Sequence, residues 1–466
     1  HRIGDRRHTG LVPADAGVQN IRTCGLDLAG QCGNFIGGRA ALDQIGRRNP
    51  IDDKELRPAA FTHRAHDLDR ESMALLGASA PVVFALVGVG NGEFVNQVSL
   101  GPHDFDAIEP GRLRVGGCRG EILDGAADVA WIFNGYTPDG SLFFAAALGV
   151  YPHLNIMDAA FCVVIDGVQH NLHASRHLRM ERMDTQVGPI GIEVIEPLQR
   201  LCVRIDCAEH GIRAELLFEG RAPAIEEPRF TRRVGPRAFM DYTRMTQAGG
   251  YRGWIEVEGR RHDVAGSRGT RDRSWGVRPV GVPDPQPMEP PIFGQFFWLW
   301  CPLNFDDGHS LFMLNADEHG EPWNTGALLG GLGVEPEHLR SSRVELDIPS
   351  GTRFARGAQL LFEHRDGGQT RIDLAVHWRF YMTGLGYFNP DWAHGLNKGP
   401  LAVGYDGIVA ADVDSFAPPY AHVQNFVTAQ VHSADGKTRA ASGVLEQLIL
   451  GPYAPLGLTG MVDPRP

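Results

Sequence analysis

The chain has 466 residues, 43% hydrophobic and 21% charged, with a formal net charge of -12 at pH 7. That charge argues against a nucleic-acid partner, because phosphate recognition needs a basic surface. No apolar run approaches the roughly 18 residues that span a bilayer, and the opening His1-Arg2-Ile3-Gly4-Asp5-Arg6-Arg7 lacks the apolar core of a secretory signal, so a soluble, cytoplasmic protein without an integral membrane segment is expected.

Residues 1–128 differ from the rest. All eight tryptophans and all nine tyrosines lie beyond them, starting at Trp131 and Tyr136. A stretch without tryptophan or tyrosine has less to bury against its ordering entropy. Arginine also greatly outnumbers lysine, which occurs only at 54, 398 and 437, as in a GC-rich genome where open frames run long. The expectation for 1–128 is a poorly ordered segment or a spurious extension.

From Trp131 the pattern becomes short strands and tight turns. Residues 131–135 and 141–151 flank Thr137-Pro138-Asp139-Gly140, a strong turn signal. Residues 161–165 and 168–173 flank Asp166-Gly167, the dipeptide type that favours a two-residue hairpin. Residues 201–205 and 212–218 flank Glu209-His210-Gly211. A Pro-rich, charged stretch over 221–237 then reads as a connector between two β units. Hairpins resume with turns at Glu258-Gly259, Asp306-Asp307-Gly308, Asp366-Gly367-Gly368 and Asp435-Gly436. Many short strands with regular Gly and Asp turns mean an all-β fold. The chain reads as the segment 1–128 followed by two consecutive antiparallel β-barrels, 129–235 and 236–466. Their exposed edge strands could pair in a homodimer.

The seven cysteines include no Cys-x-x-Cys pair and match neither a zinc site nor a dense disulfide framework. Reduced thiols are expected, although Cys202 and Cys207, on or beside one hairpin, could bridge. The Gly330-Gly331-Leu332-Gly333 run lacks the strand–turn–helix setting of a dinucleotide loop. No serine nucleophile elbow or His-Glu-x-x-His is present, and no cofactor is expected. His170, His173 and His177 read as hydrogen-bonded histidines rather than a metal site, since only His173 and His177 share a strand face.

The stretch with the most concentrated chemistry is Gly269-Thr270-Arg271-Asp272-Arg273-Ser274-Trp275-Gly276, followed by Phe296-Phe297-Trp298-Leu299-Trp300. Acid-catalysed addition of water to a double bond needs a proton donor kept neutral by burial and a wall that tolerates positive charge. Asp272 with Trp275, Trp298 and Trp300 could supply both. Two features oppose this. Arg271 and Arg273 flank the acid and favour its ionised form, and strand alternation sends Asp272 and Trp275 to opposite faces unless a bulge intervenes. The competing reading is an Asp–Arg network that closes a barrel end.

Tyr242-Thr243-Arg244, Asp272-Arg273-Ser274-Trp275-Gly276, Phe297-Trp298-Leu299-Trp300 leading to Asp306-Asp307-Gly308, and Ser442-Gly443-Val444-Leu445-Glu446 occur in an order that resembles one family. It is the tandem lipocalin-like (calycin) family of carotenoid 1,2-hydratase and AttH-type proteins, related to tocopherol cyclases and survival-factor lipid carriers. The family's His after Asp is Arg273 here, so a proton relay through that position is not expected. The resemblance implies two lipocalin-like barrels and a cofactor-free hydratase, dehydratase or isomerase acting on an isoprenoid- or polyketide-like molecule. Asp272 and Glu446 would be catalytic, and Tyr242, Arg244, Trp275, Phe296, Trp298 and Trp300 would bind substrate. A lipid carrier with the same cavity is the alternative, since family members of both kinds share the fold.

Overall fold

The computed structural model describes residues 87–88, 94–95, 127–179, 182–234, 237–278 and 294–466. The expectation for residues 1–128 therefore lies almost wholly outside the described residues. The short pair β1 (Val87–Gly88) and β2 (Phe94–Val95) stands alone.

The described chain is all-β, and its strand pairs are antiparallel. Strands β3 (Ala127–Tyr136), β4 (Leu142–Tyr151), β5 (Ile156–Ile165) and β6 (Val168–His177) form a meander. It is followed by β7 (Gln186–Val187), β8 (Ile190–Glu196), β9 (Arg200–Cys207) and β10 (Ile212–Gly220). Asp166 and Gly167 both take positive φ, 51° and 78°, as a two-residue primed turn requires. Cys202 and Cys207 are separate, buried thiols, as are Cys162 and Cys301.

The 221–237 stretch is not a linker. It contributes β11 (Ile225–Glu226) and β12 (Phe230–Val234), which both pair with the long β13 (Arg237–Val257). After β14 (Arg260–Asp263), β15 (Ser267–Val277) lies between β13 and β3. The boundary expected at 235/236 thus separates two strands that pair with each other, β12 and β13, and among the described residues β3 to β15 all belong to one 14-stranded sheet.

Among the described residues the second sheet has nine strands. They are β16 (Phe296–Phe305), β17 (Gly308–Ala316), β18 (Pro322–Gly331), β19 (Glu337–His338), β20 (Ser341–Asp347), β21 (Gly357–Glu363), β22 (Gln369–Tyr381), β24 (His422–His432) and β25 (Thr438–Leu450). The missing member, β23 (Leu401–Val409), crosses back and pairs with β6 of the first sheet. There Asp406 accepts from Asn171 at 2.6 Å and holds His173 Nε2 at 2.9 Å, while His170 Nδ1 meets the Tyr405 hydroxyl at 2.8 Å. The histidines at 170 and 173 are thus engaged in hydrogen bonds.

Strand alternation sorts the apolar residues into layers. Trp131, Phe133, Phe144 and Leu148 point into a core enclosed by the first sheet. Phe297, Leu299, Leu445 and Ile449 point into a core of the second sheet. The residues between them in sequence, such as Ile132, Phe143, Trp298, Trp300 and Leu448, meet in a third cluster between the sheets. Strands buried on both faces explain why these stretches read as continuous apolar runs. Among the described residues no helix is long and apolar enough to cross a membrane.

Candidate functional site

A cavity of about 260 Å³ opens in the layer between the two sheets, outside both enclosed cores. The first sheet supplies Tyr242 and Arg244 from β13 and Asp272 and Ser274 from β15; the second supplies Phe296, Trp298, Asn315, His422 and Glu446. The connection from β22 to β23 covers it with Tyr387, Phe388 and His394.

On the first wall, β15 runs beside β13 and β3 without a register shift, so no bulge rotates its side chains. Asp272 and Ser274 face the cavity. Arg271 and Arg273 face the first core, where Arg271 Nε donates to Gln247 Oε1 at 2.8 Å and the Arg273 guanidinium lies 4.2 Å from the Trp131 ring centroid. The arginines adjacent in sequence are therefore not those that act on the acid. Trp275 shares their face and does not line the cavity. Gly276, at φ 131°, lets β15 pass close to β13; an added Cβ would lie 2.7 Å from the Tyr242 Cα. This glycine fixes how Tyr242 enters the wall.

Arg244 is buried beside Glu227, which accepts from its Nε at 2.9 Å and its Nη2 at 2.7 Å. Thr246 and the Trp300 indole complete the carboxylate shell at 2.6 and 3.2 Å. The guanidinium also lies 4.8 Å from the Trp298 ring centroid, 5.2 Å from Trp300 and 5.3 Å from Phe230. Trp300 is thus a support beneath Arg244 and does not line the cavity. Arg278 sits 5.3 Å from the Tyr242 ring and donates to Ser274 Oγ at 2.9 Å and to the Tyr387 hydroxyl at 3.2 Å.

The two candidate carboxyl groups differ sharply. Asp272 is 5% exposed and has no hydrogen-bond partner among the described residues. Burial raises its pKa to about 7, with Arg244 and Arg278 opposing and Glu227 and Glu446 assisting. Glu446 accepts from the Trp298 indole at 2.7 Å and Gln424 at 2.8 Å, and pairs with His422 Nε2 at 2.9 Å. Burial works against its charge, yet the hydrogen bond and charge of His422, with Arg244 and Gln424, hold it at about 2. Glu446 is therefore held as an anion. Tyr242, pushed up to about 12 by burial, stays a neutral phenol.

The structure brings Asp272, Glu446, Tyr242, Arg244, Phe296 and Trp298 together, and leaves Trp275 and Trp300 out. It adds Glu227, Arg278, Tyr387 and His422, which the sequence reading missed. Glu227 was hidden in the supposed connector. Three buried atoms of cavity-lining residues, His422 Nδ1, His394 Nε2 and Asn315 Oδ1, have no hydrogen-bond partner among the described residues. Unpaired buried polar atoms are costly. No group of His, Cys, Asp and Glu suited to a metal ion occurs among the described residues.

Fold and cavity together define an all-β protein with a buried, mixed polar and aromatic site between two antiparallel sheets. The chain belongs to the family described as "Family of unknown function (DUF8625)", whose model matches residues 125–459. No curated protein matches it. Similar solved structures include an AttH-type protein from Nitrosomonas europaea, at 14% identity and a TM-score of 0.44, covering 71% of this chain and 94% of that one. Kievitone hydratase from Nectria haematococca is similar at 11% identity and a TM-score of 0.38, covering 70% and 90%. CghA with Sch210972 is similar at 14% identity and a TM-score of 0.41, covering 70% and 89%. Likeness at this level carries no argument about activity, which rests on the site itself.

Proposed function

We propose that this chain is a cofactor-independent hydratase, dehydratase or isomerase that acts by acid catalysis on a hydrophobic small molecule of isoprenoid- or polyketide-like character. We read its two curled sheets as lipocalin-like barrels, with the substrate held between them. The observation that carries the proposal is Asp272, a buried carboxylic acid with no hydrogen-bond partner among the described residues, on an aromatic cavity wall and with a pKa near neutrality. A general acid works best when its pKa lies near the operating pH. A pure carrier has no use for a buried acid in this state. Tyr242, Phe296 and Trp298 would shape the apolar part of the site, and Arg244 its polar end.

Difference infrared spectroscopy tests the acid. The wild type should show a protonated-carboxyl band that titrates near pH 7 and disappears in Asp272→Asn. Absence of that band at pH 6 would refute the proposal. Catalysis is tested by mass spectrometry of the hydrophobic molecule that co-purifies, after incubation in D₂O. The wild type should introduce deuterium into it and Asp272→Asn should not. Retained binding with no exchange in either protein would identify a carrier.

A further inference from the structure

The aromatic faces of this cavity are already occupied by cations. Arg244 lies over Trp298 and Phe230, and Arg278 over Tyr242. A carbocation would meet two resident guanidinium groups, whereas a developing oxyanion would be favoured by them. On the opposite wall, Glu446 fixes the proton of the His422 ring on Nε2, because a carboxylate accepts and does not donate. In the neutral ring Nδ1 then carries the lone pair. That atom is buried, belongs to a cavity-lining residue and has no partner among the described residues. Glu446 is itself held by Trp298 and Gln424, so the ring is oriented by a carboxylate that cannot turn away.

We infer that His422 is the general base of this site, positioned by Glu446, and that the substrate is a hydrophobic carbonyl compound carrying a hydroxyl group β to the carbonyl. The inference rests on the proposed acid role of Asp272 and gives it a partner. His422 Nδ1 takes a proton from the carbon beside the carbonyl. The C–H electron pair moves toward the carbonyl oxygen, giving an enolate within the field of the two guanidinium groups. The pair then forms the carbon–carbon double bond as the carbon–hydroxyl bond breaks, and the departing hydroxyl takes the Asp272 proton to leave as water. His422 ends as an imidazolium beside the Glu446 carboxylate and Asp272 as a carboxylate, and exchange with solvent restores both. Hydration is the same sequence reversed.

The probe is 5-nitrobenzisoxazole, an apolar ring opened by removal of its C3 proton, whose N–O electron pair leaves as a coloured phenolate without need of an acid. The full-length wild type should open it with saturation and with a primary isotope effect at C3. His422→Gln keeps an amide donor for Glu446 but has no basic nitrogen, and should lose about 100-fold or more. His422→Ala should regain the reaction on addition of imidazole. Trp275→Phe, on the far face of β15, should match the wild type. Wild-type rates in His422→Gln, a loss confined to Asp272→Asn, or no saturable reaction in the wild type would each overturn the role of His422. A silent probe with an Asp272 band that still titrates near pH 7 would remove the base and leave the acid standing.

Discussion

Asp272 and Glu446 are both nearly inaccessible carboxyl groups on facing walls of one cavity, yet one sits near pKa 7 and the other near 2. Burial alone cannot separate them, since it penalises the charge of both. The difference is the hydrogen-bond shell. Glu446 has three side-chain partners contributed by β16 and β24, and Asp272 has none among the described residues. Partnership, not depth, decides which buried acid keeps its proton, and opposed carboxyl environments mark the acid and the anion of a site.

The comparison can be broken from several sides. The largest effect should come from Glu227→Ala, which strands Arg244 without its counter-ion beside Asp272. A loss of about 3–5 kcal/mol is expected by urea denaturation, the range for breaking a buried pair. A loss below about 1 kcal/mol would mean that Arg244 finds water in the cavity.

Asp272→Asn should act in the opposite direction. The folded pKa of about 7 lies above the ordinary carboxyl value of 3.8, so the folded protein retains a proton that the unfolded chain has released. Stability from this group is therefore greatest below about pH 4 and falls as pH rises to about 7. The full cost above that is on the order of 4 kcal/mol, from 1.36 kcal/mol per pKa unit. The variant should be more stable than the wild type at pH 8, and the gap should close by pH 4. Glu446 behaves in reverse: its stabilisation is complete above about pH 4.5 and is lost as pH falls toward 2.

Glu446→Gln removes the anion while keeping the shape. A loss of about 2 kcal/mol is expected, the scale of hydrogen bonds to a charged group. The Asp272 infrared band should also titrate at lower pH, because one of the negative charges that raises it is gone. An unmoved band would show that the two carboxyl groups do not sense each other. The smallest effect belongs to Trp275→Phe, at about 1 kcal/mol in stability and none in ligand retention by mass spectrometry. Loss of the ligand there would contradict the facing of β15.

The hairpins were legible because turn chemistry and strand period are local. Asp166, Gly167 and Gly259 signal positive φ by residue type and adopt it, as Glu258 also does. The strand period also separated Asp272 from Trp275 correctly. The wrong inference was that Arg271 and Arg273 would ionise the acid, although the same period sends them to the other face. Pairings over long sequence distances left no local trace. Glu227 reads as part of a charged connector until β13 lies beside it, and His422 reads as an ordinary strand residue until β25 presents Glu446.

Strand β23 has a consequence for how the protein is made. Its Asp406 reaches His173 across 233 residues of sequence, so β6 remains an open edge throughout synthesis of most of the second sheet. Closing so long a loop is slow compared with forming hairpins, and an unpaired edge waiting in a crowded cell invites pairing with other nascent chains. The two sheets are thus stapled together by their order of appearance from the ribosome, and a chain cut before residue 401 would emerge with an adhesive flank.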